Sequence, residues 1–197
     1  MSRQRVRLTA GALLAALALI AAPAPAGAPE TLDELLRALA ARRHGHVAFS
    51  EIQHRGLFTR PLESSGELFF DAPDRLEKRI LEPKPETLVL AHGVLTVTRG
   101  RHTRTLELGA WPQLAPLLES LRATLAGDRA GLERVFSVHL EGDAARWTLQ
   151  LTPRGAAAAR LVREVIISGV RSDLKTVEIQ EADGDRSLLS IGPELPP

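Results

Sequence analysis

Between His46 and Leu108 the chain offers six short, apolar-rich segments separated by connections too tight to hold a helix. Extended segments are expected near 46–54, 65–70, 75–82, 86–91, 94–99 and 102–108. They are punctuated by Pro61, Asp71-Ala72-Pro73, Pro83-Lys84-Pro85, His92-Gly93 and Gly100-Arg101. A crossover between parallel strands needs a dozen or more residues. These connections are shorter, so the strands must run antiparallel and βαβ units are excluded.

The same pattern returns after residue 136, with strands expected near 137–141, 145–151, 163–168, 174–181 and 186–191. Gly142-Asp143 and Asp183-Gly184 are hairpin turns between them. Trp147, Leu149 and Leu151 alternate, so one face of that strand is buried. Helices frame the strands. Thr31 and Glu34 form a capping box, and Leu32, Leu35, Leu36 and Leu39 place an apolar stripe on a helix over 31–43 that stops near Gly45. Residues 110–136 are helical again, with Leu114, Leu117, Leu118, Leu121 and Leu125 on one face and Pro116 in the first turn. Gly127 ends that helix, and Asp128 caps a second one carrying Leu132, Val135 and Phe136. Thr152-Pro153 reads as the start of a short helix through 162, and the tail 193–197 as frayed. No repeat or linker divides the chain, and 197 residues fit one domain.

The first residues have a different character. Arg3, Arg5 and Arg7 precede an uncharged apolar run from Leu8 to Ala22, and Ala24-Pro25-Ala26 follows with small residues at the right spacing. Basic, apolar and small-residue regions in that order predict a secretory signal peptide over 1–26, cleaved near Ala26, with a mature domain over 27–197. The run is about fifteen residues long, short of the roughly twenty that span a bilayer. Without those three arginines the 25 basic residues fall to 22 against 24 acidic ones. A weakly acidic exported domain has no electrostatic footprint for nucleic acid.

Chemistry is sparse. There is no cysteine, which removes disulfides, thiolate catalysis, cysteine-ligated metals and a cysteine-linked lipid anchor. His92 and His102 lie on adjacent strands, but a metal site needs a third ligand such as His54 or His139, and no spacing requires one. No G-x-S-x-G elbow, glycine-rich nucleotide loop or H-E-x-x-H motif is present. The expectation is a non-enzyme that needs no cofactor. Apolar surface, by contrast, is in surplus. Leu68-Phe69-Phe70, Leu88-Val89-Leu90, Val165-Ile166-Ile167 and Leu188-Leu189 put large apolar groups on both faces of their strands. One face can pack on helices; the other either fills a second core or lines a cavity inside a curved sheet.

An ordered series of segments resembles the LolA family of periplasmic lipoprotein carriers, and in particular a divergent LolA-related branch. The series is the helix at Leu32–Leu39, Phe49-Ser50-Glu51-Ile52-Gln53, Gly66-Glu67-Leu68-Phe69-Phe70-Asp71-Ala72-Pro73, the strand Leu76–Pro83, His92-Gly93 and Leu151-Thr152-Pro153-Arg154. It covers about residues 30–192. The resemblance implies an α+β fold: a strongly curved, incompletely closed antiparallel β-barrel of about eleven strands, covered by helices. It implies a monomeric periplasmic carrier whose cargo is an acylated lipoprotein or lipid-like product, with an inner-membrane donor complex and an outer-membrane acceptor as partners. A non-catalytic interaction or sensing protein of the same fold is the alternative. The ligand would enter under a mobile helical lid.

The expected hydrophobic cavity is lined by Phe49, Leu68, Phe70, Leu76, Ile80, Leu88, Leu90, Val97, Leu117, Leu121, Trp147, Leu149, Val165, Ile167, Val177, Ile179 and Leu189. A slip of one residue would bring in Phe69, Leu81 or Ile166 instead. Family members carry an arginine before the turn proline that couples the lid to release. Ala72 stands there in this chain, so the lock is either absent or built differently, from the segment at Ala72, Arg75 and Arg79. The divergent branch occurs with genes for specialised lipid synthesis, which widens the cargo to a lipid-linked pigment precursor.

Overall fold

The computed structural model describes residues 31–72, 74–107, 127–143, 145–171 and 173–196. The signal-peptide segment and the expected helix over 110–126, with Leu117 and Leu121, lie outside the described residues.

Alternation and turn chemistry produce eleven strands in one antiparallel sheet. They are β1 (His44–His54), β2 (Leu62–Asp71), β3 (Arg75–Glu82), β4 (Glu86–Ala91), β5 (Val94–Arg99), β6 (His102–Glu107), β7 (Phe136–Gly142), β8 (Trp147–Pro153), β9 (Val162–Val170), β10 (Asp173–Glu181) and β11 (Arg186–Glu194). Their order across the sheet is β6-β5-β4-β3-β2-β1-β11-β10-β9-β8-β7. Two meanders therefore meet at a β1–β11 seam, where Phe49 faces Ile191 and Glu51 faces Leu189. The turns fall at residues that tolerate left-handed backbone: His92-Gly93, Gly100 and Gly184 all have positive φ.

The expected barrel is overturned. The sheet runs open from β6 to β7, the two end strands do not pair, and it is neither closed nor strongly curled. Both free edges carry polar and charged side chains, Arg104 and Glu107 on β6 and His139 and Glu141 on β7, a composition that discourages further pairing. The resemblance implied the barrel, and apolar groups on both strand faces left a second core or a cavity open; the structure satisfies those on the second face otherwise. Phe69 is half-buried between the His46 ring, stacked at 4.1 Å, and the Arg79 guanidinium, 4.1 Å from its centroid. Val89 stands opposite Thr96, Ile166 opposite Gln150 and Leu188 opposite Glu178. Polar neighbours shelter these groups, so no second core is required.

The other face holds the core. Helix α1 (Leu32–Ala40) begins with the Thr31–Glu34 capping box and buries Leu35, Leu36 and Leu39. It is shorter than expected: Ala41 caps it, and Gly45 lies within β1. Helix α2 (Arg129–Val135), capped by Asp128, buries Leu132 and Val135, while Phe136 belongs to β7 and not to the helix. These helices share one hydrophobic cluster with the strands. Thr152 and Pro153 complete β8, so the short helix α3 (Ala156–Ala159) starts after Gly155. Nor is the whole tail frayed. Leu195 N donates to His46 O at 2.8 Å, and His46 Nδ1 donates to Pro196 O at 2.8 Å.

Candidate functional site

Strand register sets which side chains reach the helix-covered face. Residues 47, 49 and 51 of β1 share it with 68 and 70 of β2, 76 and 80 of β3, and 88 and 90 of β4. Across the seam it continues through Leu189, Val177, Ile167 and Leu149 in one row, and Ile179 and Val165 in the next. The expected residues thus converge: Phe49, Leu68, Phe70, Leu76, Leu88, Leu90, Trp147, Leu149, Val165, Ile167, Val177, Ile179 and Leu189 are all buried. Ile80 and Val97 are partly buried against the same cluster. Phe69 and Ile166 lie on the opposite face, and Leu81 is exposed at the β2–β3 irregularity.

Two glycines shape this surface. A Cβ at Gly169 would stand 2.2 Å from Trp147 Cζ2, so the indole lies directly over that backbone while its Nε1 donates to Arg171 O at 2.6 Å. A Cβ at Gly66 would meet Arg79 O at 1.9 Å. Gly66 faces Phe49 and Ile80, and at the β2–β3 irregularity the Arg79 carbonyl takes the space its side chain would fill.

The same face holds a feature the sequence reading missed. Lys78 occupies an inward position on β3, and its Nζ lies 2.7 Å from Glu51 Oε2 on β1. The side chains are 6% and 0% exposed. The ammonium also stands 4.9 Å from the Phe49 ring centroid, and Ser64 Oγ donates to Glu51 Oε2 at 3.4 Å. A polar island is therefore embedded in the apolar face. The signal for it was in the alternation: Val47 and Phe49 set the inward phase that Glu51 shares, as Leu76 and Ile80 do for Lys78.

Arg75 and Arg79 project from the other face. Both bond the buried Glu77 carboxylate, and Arg79 covers Phe69, so their guanidinium groups turn away from the helices. Ala72 packs against the core cluster, and its N–H donates to Arg43 O at 2.8 Å. Nearby, Arg42 is buried against Asp173 at 3.1 Å; burial depresses its guanidinium pKa while Asp173 pulls it back up.

At the far end of β1, Arg55 joins Glu181 at 3.0 Å and Asp185 at 3.1 Å, and Gly56 N donates to Asp185 Oδ1 at 2.8 Å. Burial pushes the Glu181 carboxyl above its ordinary value, against the pull of Arg55, and Asp183 and Asp185 add to the rise. These bonds brace the β1–β2 hairpin, whose tip holds Leu57 and Phe58 out in solvent at 80% and 57% exposure. Among the described residues no three His, Asp or Glu side chains gather to hold a metal ion, and no helix is long and apolar enough to cross a membrane.

The inward face is thus a broad apolar layer in which the Glu51–Lys78 pair is buried. A family model described as outer membrane lipoprotein carrier protein LolA-like matches residues 23–192. No curated protein matches the chain in sequence. Among solved structures it is similar to a LolA-superfamily protein from Nitrosomonas europaea, at 12% identity over 85% of this chain and 96% of that one, TM-score 0.42. It is similar also to the lipoprotein LppX of Mycobacterium tuberculosis, at 10% identity over 84% and 96%, TM-score 0.46. A chain of the Pseudomonas aeruginosa MucA/MucB complex shares 14% identity over 84% of this chain and 58% of that one, TM-score 0.46. The family match spans most of the sequence, and the chain belongs to the LolA-like outer-membrane lipoprotein carriers.

Proposed function

We propose that the protein is a periplasmic carrier that binds the acyl chains of a lipoprotein or lipid-linked product and moves it toward the outer membrane. The ligand would lie between the helix-covered face of the open sheet and its helices, against a subset of the inward residues. The observation that carries this reading is the breadth of that face: apolar side chains line it across both meanders, from Leu95 on β5 to Leu151 on β8. Each CH₂ such a surface takes from water contributes roughly 0.8 kcal/mol, so chain length alone generates affinity. Export follows the amino-terminal pattern, with cleavage near Ala26, and transfer would need a donor at the inner membrane and an acceptor at the outer.

Delipidated protein should bind a fluorescent fatty acyl probe at micromolar concentration or tighter. Phe70→Asp should abolish binding while circular dichroism shows the sheet retained. Lack of any acyl binding by the unaltered protein would refute the carrier reading. A second reading, a non-catalytic interaction protein, is favoured by the braced hairpin with Leu57 and Phe58 exposed, and that refuting result would leave it in place.

A further inference from the structure

An acyl chain needs no charge to hold it, yet the covered face buries the Glu51–Lys78 pair. Glu51 and Lys78 stand at inward positions among Phe49, Leu68 and Leu189. Hydrophobic residues of similar volume replace buried ion pairs at little or no loss of stability, so the fold alone gives no reason for this one. Its hydrogen bonding is also incomplete. Lys78 Nζ and Ser64 Oγ both bond Oε2, whereas Glu51 Oε1 is buried with no hydrogen-bond partner among the described residues. Ser187 Oγ is buried and unpartnered as well. Ser187 faces Gln53 across the β1–β11 ladder, one inward step from the Leu189 that faces Glu51. Residues related in this diagonal way lie within reach of one ligand group.

The cluster therefore presents three capacities to the apolar face. Glu51 Oε1 accepts, the Lys78 ammonium has two N–H bonds beyond the one spent on Glu51, and the Ser187 hydroxyl can do either. A secondary amide matches them: its N–H supplies the donor that Oε1 lacks, and its carbonyl supplies an acceptor. An ester has no N–H to give. A free carboxylate would set a second anion beside Glu51, whose positive partner is already engaged. We propose that Glu51, Lys78 and Ser187 form a binding site for the amide linkage of an N-acylated ligand, with the acyl chain running over the surrounding apolar surface. The amide N–H donates to Glu51 Oε1, and Lys78 or Ser187 donates to the amide carbonyl. This site rests on the carrier reading and narrows it to cargo with a hydrogen-bond donor at the head of the chain.

The test compares three probes of equal chain length, an N-methyl fatty amide, its methyl ester and the free fatty acid, as competitors of a fluorescent acyl probe on the delipidated protein. The amide should bind about tenfold or more tightly than the ester, as expected for a hydrogen bond to a charged acceptor. The free acid should bind less tightly than the amide. The double variant Glu51→Met/Lys78→Met should bind amide and ester alike, and Ser187→Ala should reduce the preference severalfold. Circular dichroism checks that both variants fold, and the unaltered protein and Ser187→Ala decide the matter if the double variant does not. Equal affinity for amide and ester in the unaltered protein, or a preference that survives these substitutions, overturns the proposal and leaves the carrier reading standing. Failure of every probe to compete removes both.

Discussion

Replacing Lys78 by Met tests whether the buried charge pair is held together as described. The substitution keeps an unbranched chain of similar volume at this buried position but removes the ammonium 2.7 Å from Glu51. The carboxylate would then keep only Ser64 Oγ at 3.4 Å, with its other oxygen still unpartnered. Stranding a buried charge in this way costs about 3–5 kcal/mol. That is a large share of the roughly 5–15 kcal/mol that holds a domain folded. With a urea slope of about 2 kcal/mol/M, the unfolding midpoint should fall by roughly 2 M at neutral pH. Adding Glu51→Met removes the stranded charge and should return the midpoint to within about 0.5 M of the parent. Equilibrium urea unfolding followed by tryptophan fluorescence and circular dichroism measures both. A single variant as stable as the parent would refute the reasoning, since Glu51 would then have water or another partner at hand.

Two further outcomes follow from the same geometry. Gly169→Ala places a methyl 2.2 Å from the Trp147 ring and 2.6 Å from Asp173 O, so the indole must leave its seat; near-ultraviolet circular dichroism should lose the Trp147 contribution to its tryptophan bands, with about 2 kcal/mol or more of stability lost. Glu181 binds its proton more tightly folded than unfolded, so its ionisation opposes folding at neutral pH, and that opposition fades as pH falls toward 4.5, the ordinary glutamate value. Relative to Glu181→Gln, the parent should gain stability between pH 7 and pH 4.5 in urea titrations; a difference that stays flat over that range would contradict the burial of this carboxyl.

Local rules carried much of the fold into the sequence, and the limits of those rules are visible at particular residues. Strand alternation marked the inward set from Phe49 to Leu189, because a half-buried strand must place every second side chain in the core. The capping box at Thr31 and the turns at Gly93 and Gly184 were legible for similarly local reasons. Closure was not. Alternation distinguishes the faces of a strand but says nothing of how far a sheet bends, and Phe69 could have filled a second core or lined a cavity when His46 and Arg79 in fact shelter it. Those partners come from β1 and β3, and only the ladder register brings them over the ring. The polar island was overlooked for a different reason. Glu51 and Lys78 lie in phase with core residues, but charge is usually an outward signal, and the 2.7 Å bond that permits burial joins residues on non-adjacent strands.

The β1–β11 seam has a consequence for how the molecule can be made. Every other ladder in the sheet joins strands adjacent in sequence, whereas here Phe49 must find Ile191. For a chain threaded through a membrane amino-terminus first, β1 through β6 can assemble as they emerge, but one edge of β1 stays unpaired until the final strand arrives. Contacts between such distant segments are also slow to form, because a long loop must close before any bond rewards it. Topology thus postpones completion of the sheet until the last strand is available to pair with β1.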